Sequence, residues 1–512
     1  MSLDRRLAVV CGILAGATAS GVVLAAPPVA PPPATTTVAP ATPAAPTGAP
    51  ATKPAPKADE KVAAVKLDVR REKLDNGLRV ILSVDHTTPT IAVDVVYDVG
   101  SRNEERGRAG FAHLFEHMMF QGSKNVARGD HFKLISAHGG AMNGTTNEDR
   151  TNYFEMLPAG ELPLALWLEA DRMRSLDVSQ SNLDNQRQVV MEEYRMRVLN
   201  AAYVPSYIRL SELVFQGYWP YEHAAIGTMP DLEAAQLQWV RAFHDSYYAP
   251  NNAVLAISGD IDADQAMSLV KKYFGDIAQQ PAIPKYEPPP MPAQTAPRST
   301  VMEDEHAKLA AVIDAWPIPP ARDKDHYALE LASMVLTDGE SSRLYKNLVR
   351  ERSVAADVSS GTDDHRGPDM FTLTARIAGK AKPDDVHKLL LAEVDHLGKT
   401  GPTEAELAKV KSRIKTQFLM GLQSNIARAQ RLAEFELYHG NAELLNSELD
   451  KYLAVTGADI KKAVATYLVA SKSTHIDVKP APEKPADKPA DKPADKPAAA
   501  TTPAQKPATE KK

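Results

Sequence analysis

The sequence predicts an α+β protein built from two similar half-domains between two disordered ends. Three observations predict it. Both termini are low in complexity, a proline-rich run divides the middle, and each side of that run mixes short strand patterns with long amphipathic helix patterns. The ordered chain spans residues 63–478, and the dividing run covers residues 281–298. Each side is about two hundred residues long, enough to bury a full hydrophobic core.

The elements follow in order. Arg5 and Arg6 precede an apolar run over residues 7–24, and Val23-Leu24-Ala25 fits a small-residue cleavage site. Residues 1–25 therefore read as a signal peptide, with a mature start near Ala26. The run is about long enough to cross a bilayer, but its glycines and alanines make a weak span. Cleavage is expected over anchoring, which leaves no stable membrane span and places the protein in the periplasm, at the cell envelope or outside the cell. Cys11 is the single cysteine, so the mature chain has no thiol and no disulfide framework. Residues 26–62 are rich in Ala, Pro and Thr and cannot bury enough apolar surface to offset ordering entropy. Residues 479–512 carry Pro-Ala-Asp-Lys repeats and read as a solvated spacer.

The N-terminal half, residues 63–280, shows strand patterns at 91–99 and 252–257, and residues 141–156 read as one edge-type strand. The C-terminal half, residues 299–478, shows a helix at 403–422. Residues 328–346 repeat the helix pattern of residues 110–124. The formal net charge of −6, with no basic patch interleaved with aromatics, excludes nucleic acid as a partner.

The chemistry centres on His113-Leu114-Phe115-Glu116-His117. On a helix, residues four apart share a face, so both imidazoles aim at one point. Glu116 sits one step aside. The flanks Phe111, Leu114, Phe115, Met118, Met119 and Phe120 are apolar, so the helix is buried. Two histidines and a carboxylate are costly there without a metal or a hydrogen-bond network. Two imidazoles, one further carboxylate and an open position make a hydrolytic zinc site, and H-x-x-E-H is a metallopeptidase order. Residues 185–197 read as a helix whose apolar stripe is interrupted by Glu192 and Glu193. Periodicity does not decide between the two, and Arg195 and Arg197 could pair with either on a solvated face. His86, His131, His138, His223 and His244 have no metal-ligand spacing to the motif.

The chain resembles the pitrilysin (insulinase) family of zinc peptidases over residues 69–478. The motifs occur in order: Leu74-Asp75-Asn76-Gly77-Leu78, Val99-Gly100-Ser101-Arg102-Asn103-Glu104, the metal helix, Gly139-Gly140-Ala141-Met142-Asn143-Gly144-Thr145-Thr146, Ile226-Gly227-Thr228 and Tyr248-Ala249-Pro250-Asn251-Asn252. The resemblance implies two similar halves, each a mostly antiparallel sheet covered by helices, with only the first half carrying zinc. It assigns the metal to His113, His117 and Glu193, one Zn2+ per chain, and the general base to Glu116. Glu192 and Gln186 are expected to support the ligands from behind, Gln186 standing where relatives often carry Glu. Asn143, Gly144 and Thr145 are expected to hold substrate by β-augmentation of the edge strand.

The implied activity is an endopeptidase for peptides or unfolded segments, enclosed in a chamber, with water activated at the zinc as nucleophile. Many relatives carry an Arg and a Tyr in the second half; Val349 and Ala356 stand at those positions here. The chain has two domains where single-chain relatives have four. A second chain is expected to close the chamber, as a homodimer or as a heterodimer with a zinc-less family member. The alternatives are a zinc-bearing subunit that needs such a partner for turnover, and a dedicated precursor-processing peptidase.

Overall fold

The computed structural model of the chain describes residues 66–482. The segments read as signal peptide and Ala/Pro-rich linker, and nearly all of the repeat tail, lie outside the described residues. Among the described residues, no helix is long and apolar enough to cross a membrane.

Two sheets organise the molecule. The first contains β1 (Arg70–Lys73), β2 (Arg79–Val84), β3 (Thr90–Tyr97), β4 (Ala141–Thr146), β5 (Thr151–Pro158) and β6 (Ala253–Gly259), in the order β1-β2-β6-β3-β5-β4. The second contains β7 (Arg298–Asp304), β8 (Ala311–Ile318), β9 (Ala355–Thr362), β10 (Asp369–Ile377) and β11 (Thr474–Pro480), in the order β7-β11-β8-β10-β9. Apart from β1 the two sheets have the same topology. In each, one parallel pair (β2 with β6, β7 with β11) is followed by three antiparallel pairs. The two-halves expectation is therefore met strand by strand.

Several boundaries differ. Residues 141–156 are not one strand but the hairpin of β4 and β5. Asn147 Oδ1 accepts the Asp149 and Arg150 N–H groups and turns the chain back. The parallel register of β7 with β11 runs from Arg298↔Thr474 to Asp304↔Pro480. Pairing thus draws Arg298 out of the linker and Lys479 and Pro480 out of the tail.

In the first half, one sheet face carries α1 (Phe111–Met118), α3 (Leu162–Ser175) and α4 (Gln180–Tyr194), with α2 (Asp130–Ala137) between α1 and β4 in the chain. Leu82, Ile91, Val93 and Val95 alternate onto that face and pack with Leu114, Phe115, Leu166 and Val190. The other faces are covered by exchange. The helix Asn425–His439, from the second half, lays Ala429, Leu432, Ala433 and Leu437 over Ala92, Val96, Val254 and Ala256 of the first sheet. Reciprocally, Leu210 and Val214 of α5 (Val204–Val214) pack on Ala311, Ile313, Ala315 and Ile476 of the second. Ion pairs Arg150–Glu434 (3.0 Å), Arg71–Glu436 (2.9 Å) and Arg428–Asp85 (2.6 Å) border the first exchange.

Candidate metal centre

The N-terminus of α1 is fixed before its side chains can act. Glu104, the last residue of the second of the ordered motifs, accepts the Gly110 and Ala112 N–H groups at 2.9 and 2.7 Å. These are donors that the first turn of a helix leaves unpaired. His223 Nε2 lies 3.0 Å from the same carboxylate, and its ring stacks on Trp219 at 3.9 Å. Gly110 has φ +93° and Gly227 φ +79°, and a Cβ on Gly227 would meet the Ala109 carbonyl and the Gly110 Cα. The two backbones touch, which explains why both positions are glycine.

His113 and His117 then present their rings 4.7 Å apart, and Glu193 of α4 faces them. His117 Nε2 is 3.1 Å from Glu193 Oε2, and His113 Nε2 is 3.9 Å from Glu193 Oε1. The three ligand atoms lie within 4.8 Å of one another. Tetrahedral zinc holds its nitrogen and oxygen ligands about 3.3 Å apart, so this donor set fits it. Burial, with help from His117, lowers His113 to about 3, so its ring is neutral and its lone pair available. Burial alone would raise Glu193; the hydrogen bond from His117 and the nearby imidazole and Arg197 charges outweigh it and bring it to about 2. A metal ligand needs these protonation states.

Of the two glutamates that periodicity left open, Glu193 is buried at the site. Glu192 is corrected: it is exposed and paired with Arg195 at 3.0 Å. Successive residues on a helix point about 100° apart, so both cannot face the imidazoles. Gln186 is buried on α4 and hydrogen-bonds toward His117. Beyond α4 the chain continues as a π-helix, Arg195–Leu199, which carries Arg197 to 2.8 Å from Glu193 Oε1. Wide turns of this kind are frequent at functional sites.

Glu116 is buried beside the ligands, and its Oε2 accepts a 2.6 Å hydrogen bond from Thr146 Oγ1. Burial raises its carboxyl above the usual range, and His117 and Thr146 partly offset that. β4 passes directly over it: a Cβ on Gly144 would lie 3.2 Å from Glu116 Cγ and from the Phe120 and Tyr153 rings. β4 pairs with β5 on one side, and among the described residues its other edge has no partner strand. The Gly144 N–H is taken by Asn143 Oδ1 at 2.9 Å, not by β5, so it points to that outer edge. The Thr145 side chain bonds Asn152, at 2.5 Å, and Arg150. The Thr145 carbonyl accepts from Arg150 Nη1 at 3.2 Å, so Thr145 is engaged on the β5 side and Gly144 is the residue that faces the open edge.

Sequence reasoning did not select Thr146, Arg197, Glu104 or His223 for the site. Arg197 was legible only as a surface ion-pair partner. Glu104 and His223 are separated by over a hundred residues and carry no shared spacing.

Residues 79–209 match Insulinase (Peptidase family M16), and residues 234–414 match the Peptidase M16 inactive domain. The zinc protease PqqE of Helicobacter pylori is 31% identical over 412 residues, covering 80% of this chain and 92% of that protein. The mitochondrial-processing peptidase subunit beta of Blastocladiella emersonii is 23% identical, over 77% of this chain and 85% of its own. A crystal structure of a protease from Helicobacter pylori superposes with a TM-score of 0.77 at 31% identity, covering 81% of this chain and all of that one. The chain belongs to the insulinase family of peptidases, M16. It is a zinc metallopeptidase, a hydrolase of peptide bonds.

Proposed function

We propose that this protein is an exported endopeptidase for peptides and unfolded polypeptide segments. One zinc ion is held at this site by His113, His117 and Glu193, and Glu116 is the general base. The observation that carries the reading is the meeting of three ligands, a buried carboxylate and an unpaired strand edge at one place.

Zinc, when bound, supplies a positive charge that polarises the scissile carbonyl and acidifies water. The rest is done by the chain. A substrate strand adds to the open edge of β4 and pairs with the Gly144 backbone, displacing the Asn143 side chain from the Gly144 N–H. This sets the substrate backbone alongside Glu116. Thr146 occupies Glu116 Oε2, so Oε1 takes the proton from the attacking water and returns it to the leaving amine. The upward push of burial on its carboxyl favours taking up that proton.

Export rests on the charged start and apolar run of residues 1–25 and on the thiol-free remainder. A second chain closing the substrate space is proposed because two domains leave the β4 edge open. A heterodimer in which a zinc-less partner supplies missing substrate contacts has a specific observation behind it. Val349 and the exposed Ala356 stand where relatives carry an Arg and a Tyr.

The test is a peptide-library digest by the mature protein with and without chelator, beside Glu116→Gln, with oligomeric mass measured on the same sample. Chelator-sensitive cleavage that Glu116→Gln abolishes is the expected result. Cleavage that persists in that variant removes Glu116 as the base. No cleavage by any oligomer of the single chain turns the reading to the heterodimeric subunit.

A further inference from the structure

The half that lacks the H-x-x-E-H motif reaches the β4–β5 hairpin at two points. The first is the turn between β9 and β10. Asp369 accepts the Asp363 and Asp364 N–H groups at 3.3 and 3.0 Å and draws this turn tight, with Asp364 at φ +59°. The next residues meet the first half. The Arg366 N–H donates to Asp149 Oδ2 at 2.8 Å. The Gly367 N–H donates to the Tyr221 hydroxyl at 2.8 Å, and that hydroxyl donates to Asp149 Oδ1 at 2.9 Å. A Cβ on Gly367 would lie 2.8 Å from the same hydroxyl oxygen, so the approach requires glycine. The Arg366 guanidinium anchors the turn on Asp98 Oδ1 at 2.7 Å. Asp149 itself is buried in the turn of the β4–β5 hairpin.

The second point is the helix Asn425–His439. Its Glu434 Oε1 accepts from Arg150 Nε at 3.0 Å, and Nη1 of the same guanidinium donates to the Thr145 carbonyl at 3.2 Å. Thr145 and Thr146 are consecutive. One is tied through Arg150 to the second half, and the other is bonded to Glu116. On its opposite side the hairpin turn is held by the first half, where the Ser101 and Arg102 N–H groups donate to the Asn147 and Glu148 carbonyls at 3.1 and 3.0 Å. The hairpin is thus clamped between the loop that leads to the metal helix and the second half. A strand paired on one side only has few bonds of its own to fix it, so what grips its end sets its position.

We propose that Arg366 and Glu434 are positioning residues for the reaction. Acting through the Asp149 turn and Arg150, they hold β4 where Thr146 can bond Glu116. The half without a metal helix then serves the site by keeping the edge strand at its working height. The kinetic part of this proposal rests on the reading of β4 as the substrate strand and Glu116 as the base; the part about strand mobility does not.

The test uses the full chain carrying Arg366→Met and Glu434→Gln together. Amide hydrogen exchange over residues 141–156 is expected to quicken by about tenfold, with the central strand β6 unchanged. Turnover per bound zinc is expected to fall about tenfold, as a displaced reacting group demands. In a Thr146→Val background the same pair should cost less than about twofold, because both changes act on one contact. A role confined to stability would quicken exchange across the whole first half, and its effect would multiply with that of Thr146→Val. Should the pair not fold, each single variant reads the same quantities. Unchanged exchange over residues 141–156 overturns the proposal, and so does a loss of turnover that Thr146→Val leaves undiminished. If the unaltered protein cleaves no peptide, the endopeptidase reading fails and the exchange measurement alone decides whether the strand is held in this way.

Discussion

Thr146 Oγ1 donates a 2.6 Å hydrogen bond to Glu116 Oε2, joining the edge strand that would receive substrate to the carboxylate that would take the proton. One residue thus sets both the height of β4 over α1 and the oxygen left for chemistry. Thr146→Val keeps the shape and removes the donor. A hydrogen bond to a charged group contributes on the order of 1.5 kcal/mol, so kcat is expected to fall about tenfold. KM should change little, because the backbone edge is intact. Steady-state kinetics on one peptide substrate separates the two.

Glu116→Gln is expected to retain zinc and lose nearly all turnover. The amide preserves packing against Gly144 but cannot accept a proton. Elemental analysis beside single-turnover assays checks both halves of the statement.

Arg197 acts on the metal centre through Glu193. Its 2.8 Å ion pair fixes the carboxylate and helps keep it ionised. Arg197→Met should weaken zinc binding by about tenfold to a hundredfold, the range for losing a partner behind a ligand. Competition with a chelator of known affinity reads it directly. Glu192→Gln, on the solvent side of the same helix, should leave affinity unchanged.

Stability at alkaline pH should depend on His326. Burial would lower its imidazole, but the 2.7 Å contact with Asp369 and the charges of Asp364 and Glu330 push it up to about 9. A raised folded value means that the ion pair contributes fully below the unfolded value, about 6.5, and is lost as pH rises through about 9. Wild type should therefore melt several degrees above His326→Gln at pH 6. The gap should close by pH 10. Thermal scans of both proteins across that range test the sign.

The metal helix was legible because its information is local. His113, Glu116 and His117 lie within five residues, and apolar neighbours declare the helix buried. Glu193 was not legible from spacing, since Glu192 fits the same stripe; the family resemblance chose it, and the helix geometry turns Glu192 outward. The hairpin of β4 and β5 was missed because its turn residues, Asn147 to Arg150, are polar but contain no Gly or Pro. The exchange of helices between halves was not legible at all. Periodicity says that the segment 425–439 has an apolar face, but not which sheet that face meets. Glu104 and His223 belong to the same class: their pairing exists only once the chain has folded.

The exchange has a mechanical consequence. Without the helix Asn425–His439, Ala92, Val96, Val254 and Ala256 would stand bare on the first sheet. Neither half can swing away from the other without uncovering such a surface. The proline-rich segment joins two halves already locked by that exchange, so it is a strap and not a hinge. Whatever movement admits a polypeptide must therefore leave the exchanged helices seated on their sheets.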